Sequence, residues 1–418
     1  MNPIYYGWWI VLASFITAFY VAGTIFYGFT AFIEPLANEF GWSYTQISLA
    51  ASLRGLEMGL LAPFVGILVD RFGSRKLLLI GSLVLGFGMI LLGFTKSLAM
   101  FYGAFILIAF GAGGCTSVVT MTAVANWFDK NVGKAMGVTV SGFGASGMII
   151  PLIVWMIAVF GWRMTLIVLG IGMWIIGVPA AFVMRNKPEN GPDVSIMEKS
   201  DKHNDLSQKR SDDKRFRYTE ILKKKSFLFV NLAEVIRLMA LMAVVTHIMP
   251  YLSTMDISRM NSGLMAAGIP LLSITGRFGF GWLGDIFEKK YVMAISFSLM
   301  ALGMLALCYI QLTGMINIVL IILSNGNGGI ATLRGAWLRE YYGKENLGKY
   351  LGIMMGFGAC GGIIGPTTAG WVFDRMGSYY FVWLALSALI GLAIILIWRI
   401  ELMDESSVIK REKVDNSV

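Results

Sequence analysis

Apolar residues run in long blocks along this chain, broken by short polar turns, from Tyr5 to Ile400. At 1.5 Å per residue, a block of about 20 residues crosses a hydrocarbon core of ~30 Å as a helix. The pattern predicts twelve spans, at residues 8–33, 45–69, 77–94, 98–124, 134–159, 163–184, 227–250, 262–284, 291–311, 314–337, 349–372 and 379–399. Tyr5, Tyr6, Trp8 and Trp9 open the first as an aromatic interfacial anchor. Residues 185–226 break the pattern: Pro188, Gly191 and Pro192 lead into dense mixed charge. That composition buries too little apolar surface to fold and reads as a solvated linker. The expected organisation is one six-span half over 1–184, the linker over 185–226, a second half over 227–399 and a polar tail over 400–418.

Composition agrees with lipid as the solvent: of 418 residues, 56% are hydrophobic and 14% charged, with a mean hydropathy of +0.70. The net charge of +9 invites a nucleic-acid reading, but the placement of the charges opposes it. On the predicted topology, 26 of the 34 Lys and Arg fall on the linker's face, against four (Lys96, Arg163, Arg259, Arg375) on the other. That is the positive-inside bias; it places both termini in the cytoplasm of a cell with this chain in its inner membrane. Cys115, Cys308 and Cys360 all fall in spans, without metal-ligand or disulfide spacing, so no metal is expected. A G-x-x-x-x-G-K-[ST] phosphate loop and any catalytic constellation are absent from the sequence, which argues against an enzyme or a bound cofactor. The first apolar stretch is span-length with no basic start, so a cleaved leader is not expected.

Two motifs occur twice. Gly66-Ile67-Leu68-Val69-Asp70-Arg71-Phe72-Gly73-Ser74-Arg75-Lys76 is echoed 215 residues on by Gly281-Trp282-Leu283-Gly284-Asp285-Ile286-Phe287-Glu288-Lys289-Lys290. Gly133-Lys134-Ala135-Met136-Gly137 matches Gly348-Lys349-Tyr350-Leu351-Gly352, and the glycine-rich runs 142–147 and 356–361 follow, ending at Pro151 and Pro366. The halves are therefore parallel repeats, the design of carriers whose two bundles rock about a central site. These residues resemble the major facilitator superfamily, whose loop between spans 2 and 3 carries the first motif. The resemblance covers the whole chain and implies an all-α membrane protein of twelve transmembrane helices in two parallel six-helix halves. It also implies that Asp70, Arg71, Arg75 and Asp285 form a cytoplasmic gate, in which a carboxylate meets the positive N-terminus of span 11 or span 5. A fixed helix cap is the alternative reading of both aspartates.

Six ionisable residues fall inside predicted spans: Arg54, Glu57, Glu234, Arg237, Arg277 and Arg334. A charge at bilayer depth costs about 2.5–3.5 kcal/mol or more, so each requires a partner or a water-filled cavity. Arg54 with Glu57, and Glu234 with Arg237, are spaced i,i+3 on one helix face, as structural ion pairs or as functional groups. Arg277 has no acid three or four residues away. It lies ~12 Å in from Asp285, near the midplane, and calls for a partner from elsewhere. An anionic substrate qualifies, because guanidinium holds a carboxylate through two parallel bonds; a salt bridge to Glu234 or Glu57 is the alternative. Arg334 is expected to snorkel to the interface or to pair with Asp285. Tyr27, Thr116, Thr120 and Asn325 are candidate cavity residues, or else glue between helices. Glu57, Glu234 and His247 are the candidate proton carriers: the carboxyl groups through burial, the histidine through its ordinary titration range.

A narrower likeness rests on Tyr6-Gly7-Trp8-Trp9, Phe40-Gly41-Trp42-Ser43, His247-Ile248-Met249-Pro250-Tyr251-Leu252, and Gly276-Arg277 followed by Gly281 and Asp285. Together these resemble the bacterial monocarboxylate porter group, which includes relatives of lactate carriers and of the oxalate:formate antiporter. The resemblance implies that Arg277 binds substrate, with a glycine four residues on. It implies a lactate- or pyruvate-like monocarboxylate moved with a proton, by a monomer in the bilayer. The chain departs from its relatives at Ser273, where animal transporters carry aspartate. It also has no lysine before Lys76 and none in the interior of span 11, from Leu351 to Val372. One central cation fits one carboxylate better than two. Exchange or export of another organic anion is the alternative, and a transporter-like solute sensor is a further one.

Overall fold

The computed structural model describes residues 5–53, 62–115, 117–128, 132–185, 224–309, 315–342 and 347–400. Every regular element among them is a helix. Lipid offers the backbone no hydrogen-bond partner, so each crossing segment must satisfy its own N–H and C=O groups. Ten stretches are individually long and apolar enough to cross a membrane. Two local features reconcile ten with twelve. Helix Val132–Ala145 continues through the tight turn Ser146–Met148 into Ile149–Val183, and Gly161, at φ 76°, reverses the chain inside that last segment. Spans 5 and 6 therefore share one apolar stretch. Span 2 is described as Tyr44–Ser52 and Ala62–Phe72, each too short alone. The remaining spans are helices Ser74–Gly93 (span 3), Leu98–Gly113 and Ser117–Ala125 (span 4), Lys225–Ser253 (span 7), Arg259–Ile286 (span 8), Lys289–Cys308 (span 9), Ile316–Tyr342 (span 10), Leu347–Met376 (span 11) and Tyr380–Trp398 (span 12).

Span 1 departs from the simple helix that its apolar run predicts. It begins as Gly7–Val21, widens to a π turn over Ala22–Tyr27, tightens over Gly28–Phe32 and resumes as Ile33–Phe40. It thus runs seven residues past the predicted end at residue 33. Gly41, left-handed at φ 66°, ends it by donating its N–H to the Ala37 carbonyl. Widened turns of this kind recur at functional sites because they re-aim a side chain. Here the side chain at the end of the π turn is Tyr27.

The two halves meet mainly at one end. Span 11 packs along the first segment of span 2, Tyr44–Ser52, and Ser52 Oγ lies 3.0 Å from Thr367 Oγ1. The second segment of span 2, Ala62–Phe72, packs on spans 3 and 4 of its own half. Span 1 touches span 7 through its irregular stretch: Thr30 Oγ1 accepts the Met249 N–H at 3.2 Å. Arg259 donates to the Ala31 carbonyl at 2.8 Å. Span 5 packs on span 8 where Gly147 faces Ala267 and Pro270, a close approach that a small residue allows. Most of these contacts lie at the end away from the linker; that of span 5 with span 8 lies near mid-length, where Gly144 also faces Ile274. Towards the linker end, Gly66, Gly137, Gly279, Gly352 and Gly356 face open space. Among the described residues the side-chain hydrogen bonds between the halves lie at the far end, so the bundle closes there and opens toward the linker end.

Close packing within the second half makes a testable contrast. A Cβ on Gly361 would fall on the Val235 carbonyl of span 7, whereas one on Gly352 meets nothing. Gly361→Val is expected to cost about 1–3 kcal/mol by overpacking, and Gly352→Val little. Thermal unfolding in detergent checks this; equal losses at both positions would contradict the packing.

Candidate functional site

Spans 7, 10 and 11 converge on a charged cluster inside the bundle. Glu234 and Arg237 sit one turn apart on span 7, both buried. Arg237 grips the carboxylate as a fork, with Nε donating to Oε2 at 2.7 Å and Nη2 to Oε1 at 2.6 Å. Its Nη1 donates to Asn327 Oδ1 on span 10 at 2.6 Å. Arg334, a further two turns along span 10, also donates to Glu234 Oε1. One carboxylate thus holds two guanidiniums from two helices. Such a pair offsets the desolvation of its members only when geometry and hydrogen bonds are as complete as these. The local spacing predicts the Glu234–Arg237 pair, but not the share taken by Arg334. The expectation that Arg334 snorkels or pairs with Asp285 is corrected: its partner is Glu234. Span 11 reaches the cluster closely, since a Cβ on Gly358 would lie 3.3 Å from Glu234 Cγ.

Arg277 stands apart. It is half-buried on span 8, and its Nε is buried without a hydrogen-bond partner. Gly328 of span 10 packs against the backbone of the same turn, so a Cβ there would come within 3.1 Å of the Arg277 nitrogen. Tyr27, Arg237 and Arg334 are within electrostatic reach of it. Tyr27 in turn lies within reach of Arg277 and Arg237. Of the two alternative partners for Arg277, Glu234 is already taken by the other two arginines, and Glu57 lies outside the described residues. Among the described residues, Glu234 pairs with Arg237 and Arg334, and Arg277, within reach of both, has no ion pair of its own. An excess of positive charge around an unsatisfied guanidinium is a place for an anion.

The other sequence-selected residues are placed as follows. Asn325 accepts from Thr275 Oγ1 at 2.8 Å and donates to the Ile321 carbonyl at 2.8 Å, so its amide ties span 10 to span 8. Thr120 is buried in span 4. Arg54, Glu57 and Thr116 lie outside the described residues, as does the side chain of Asp70. Arg71 is exposed with its guanidinium over Phe72, and Arg75 lies over Phe182. Asp285 is exposed and has no ion pair among the described residues. His247 is fully buried at the closed end. Its Nε2 lies 2.9 Å from both the Pro366 carbonyl and Ser48 Oγ, and its Nδ1 lies 3.0 Å from the Tyr379 hydroxyl. A carbonyl only accepts, so Nε2 carries the proton and Nδ1 accepts from Tyr379. The ring joins spans 2, 7 and 11 to Tyr379 at the head of span 12.

Sequence reasoning missed Asp374. From the last turn of span 11 it accepts the Tyr44 N–H at 2.9 Å and the Thr45 N–H at 2.8 Å, across the boundary between halves. The signal was present: Gly370-Trp371-Val372-Phe373-Asp374-Arg375-Met376-Gly377 repeats the spacing of Gly66 to Gly73.

A sequence model of the Major Facilitator Superfamily matches residues 12–333 and 242–415. An uncharacterised transporter of that type from Bacillus subtilis, YcxA, is 23% identical over 400 residues, covering 93% of this chain and 94% of the relative. Monocarboxylate transporter 12 of Mus musculus is 24% identical over 400 residues, covering 90% of this chain and 81% of its own. Among solved structures, a bacterial homologue of the human lysosomal transporter Spinster, inward-facing and unoccupied, superposes with a TM-score of 0.75 at 13% identity, over 95% of this chain and 97% of that one. A point mutant of the nucleoside transporter NupG does so with 0.74 at 10% identity, over 95% and 100%.

Proposed function

The chain belongs to the Major Facilitator Superfamily, a family of multi-pass membrane transporters, and we propose that it carries a small lactate- or pyruvate-like monocarboxylate together with a proton. The observation that carries this reading is Arg277: a half-buried guanidinium with an unsatisfied Nε, within reach of Tyr27 and of the two arginines that share the Glu234 carboxylate. A substrate carboxylate supplies the missing acceptor. The likeness to monocarboxylate transporter 12 supports the same class of cargo. Glu234, Glu57 and His247 remain the candidates for the proton.

On the positive-inside rule the linker end is cytoplasmic, with both termini there, and the membrane is the inner membrane of a bacterial cell. The open end then faces the cytoplasm and the conformation is inward-facing, like that of the Spinster homologue. The halves 1–184 and 227–399 rock about Arg277 as a monomer, with the gate residues Asp70, Arg71, Arg75 and Asp285 at the end now open. Exchange of another organic anion is the second reading; it is favoured by the two cations beyond Arg277, which suit a more highly charged cargo.

Uptake of radiolabelled lactate into proteoliposomes, with and without an inward proton gradient, tests the proposal. Accumulation that an uncoupler abolishes is the expected result. Counterflow that ignores the gradient would select the exchanger. No uptake by folded protein, with dicarboxylates carried instead, would overturn the monocarboxylate.

A further inference from the structure

Spans 2 and 11 run antiparallel, since Thr45 meets Asp374 and, seven residues along each helix, Ser52 meets Thr367. Both helices end in Gly-x-x-x-Asp-Arg-x-Gly, at 66–73 and 370–377. Both endings close alike: Gly73 and Gly377 are left-handed, at φ 79° and 64°, and each donates its N–H to the carbonyl four residues back at 2.8 Å. One helix pair therefore carries the same turn at its two opposite ends.

We propose that Asp374 is a latch that holds the far end of the transporter shut, and that it releases when the halves rock the other way. The proposal rests on the alternating-access reading of the family, and it assigns to span 11 a gate of its own. The first turn of span 2 shows how the latch works. Ser43 caps locally, accepting the Gln46 N–H, while the Gln46 side chain accepts the Ser43 N–H. That leaves the N–H groups of Tyr44 and Thr45 without an acceptor in the described residues of their own half. Asp374 takes both, one on each oxygen, and Oδ2 also accepts from Thr45 Oγ1 at 2.5 Å. A carboxylate on two free amides at the positive end of a helix is a favourable pairing, yet it is exposed. Water replaces the carboxylate when the halves part, so the contact is reversible.

Three features make the closure specific. Gly370 lies against the same turn, and a Cβ there would sit 2.8 Å from the carbonyl carbon and oxygen of Tyr44. Arg375 stacks over Trp371, 5.7 Å from the ring centre, and makes no ion pair with Asp374 among the described residues. The Tyr44 ring packs on Phe373 at 4.9 Å and lies beside His247, which carries the seal one turn deeper through Ser48 and Pro366. At the open end the position equivalent to Gly370 is Gly66, and it faces empty space. Gly66 and Gly370 thus stand in opposite surroundings in one conformation, as alternating latches require.

Spin-label distances test this on the full chain in lipid nanodiscs without any substrate. One pair, Lys96 with Met315, spans the far face; the other, Lys76 with Glu288, spans the linker face. Asp374→Asn keeps the size and removes the charge and one acceptor. It is expected to move the far-face pair to longer and the linker-face pair to shorter distances, changing the ratio of closed to open by about tenfold. Gly370→Ala wedges the same contact without touching a charge and should shift both pairs the same way. Wild-type distributions in both variants, each monodisperse, would overturn the latch, as would a shift in Gly370→Ala alone. Because no cargo is present, the outcome is separable from the proposed function. Shifted distances with no lactate transport would leave the latch and remove the monocarboxylate, and transport with unmoved distances the reverse.

Discussion

Arg277→Lys is expected to weaken monocarboxylate binding by roughly 10- to 100-fold while leaving the protein as stable as the parent. The affinity loss follows from geometry. Guanidinium presents two parallel N–H donors to a carboxylate, whereas an ammonium offers one strongly hydrated point of charge. A charge-assisted hydrogen bond is worth about 1.5–3 kcal/mol, which gives the range. The unchanged stability follows from what Arg277 does not do. It holds no ion pair among the described residues, and its Nε bonds nothing, so its replacement orphans no partner there. Calorimetric titration with lactate, beside thermal unfolding of the same preparation, separates the two effects. Unchanged affinity would remove Arg277 from the site. A large fall in unfolding temperature would mean that it supports the fold.

Much of this arrangement is legible in the sequence because it is written locally or periodically. The spans follow from unbroken apolar runs, the duplication from glycine motifs at a constant offset, and the Glu234–Arg237 pair from i,i+3 spacing. Arg277 is conspicuous because it lacks an acid at that spacing. What escapes is set by contacts between distant segments. Arg334 joins Glu234 from a hundred residues away, and no rule of local spacing distinguishes that from an arginine reaching for the interface. The π turn that ends at Tyr27 arises in an apolar, glycine-bearing run whose composition also suits a regular helix. Asp374 was missed for another reason. A search for repeats at the offset of the two halves aligns span 2 with span 8. It therefore passes over a match between span 2 and span 11, whose relation is reciprocal packing of ends rather than duplication.

Glu234→Gln should have the second large effect, and on two quantities at once. Glu234 Oε1 accepts from Arg237 and Arg334, and Oε2 from Arg237 again. An amide keeps one acceptor and turns a donor toward guanidinium. Arg237 then keeps Asn327, while Arg334 loses the carboxylate it donates to. Breaking a buried pair in this way costs about 3–5 kcal/mol. Arg334 keeps 20% of its side chain exposed, so water relieves it and the loss should lie at the lower end. If Glu234 also carries the proton, the variant is fixed in the equivalent of the protonated state. Accumulation driven by a pH gradient then disappears while lactate exchange across the membrane persists. A second change separates the two effects. Glu234→Gln with Arg334→Gln removes one of the stranded cations, so it should recover part of the stability but none of the coupling. Thermal unfolding, gradient-driven uptake and counterflow on the parent, both single variants and the double variant supply the cycle. Gradient-driven accumulation surviving in Glu234→Gln would take the proton away from this cluster and assign it to Glu57 or His247. The shared carboxylate would then be a structural joint between spans 7 and 10, beside an anion site that Arg277 forms alone.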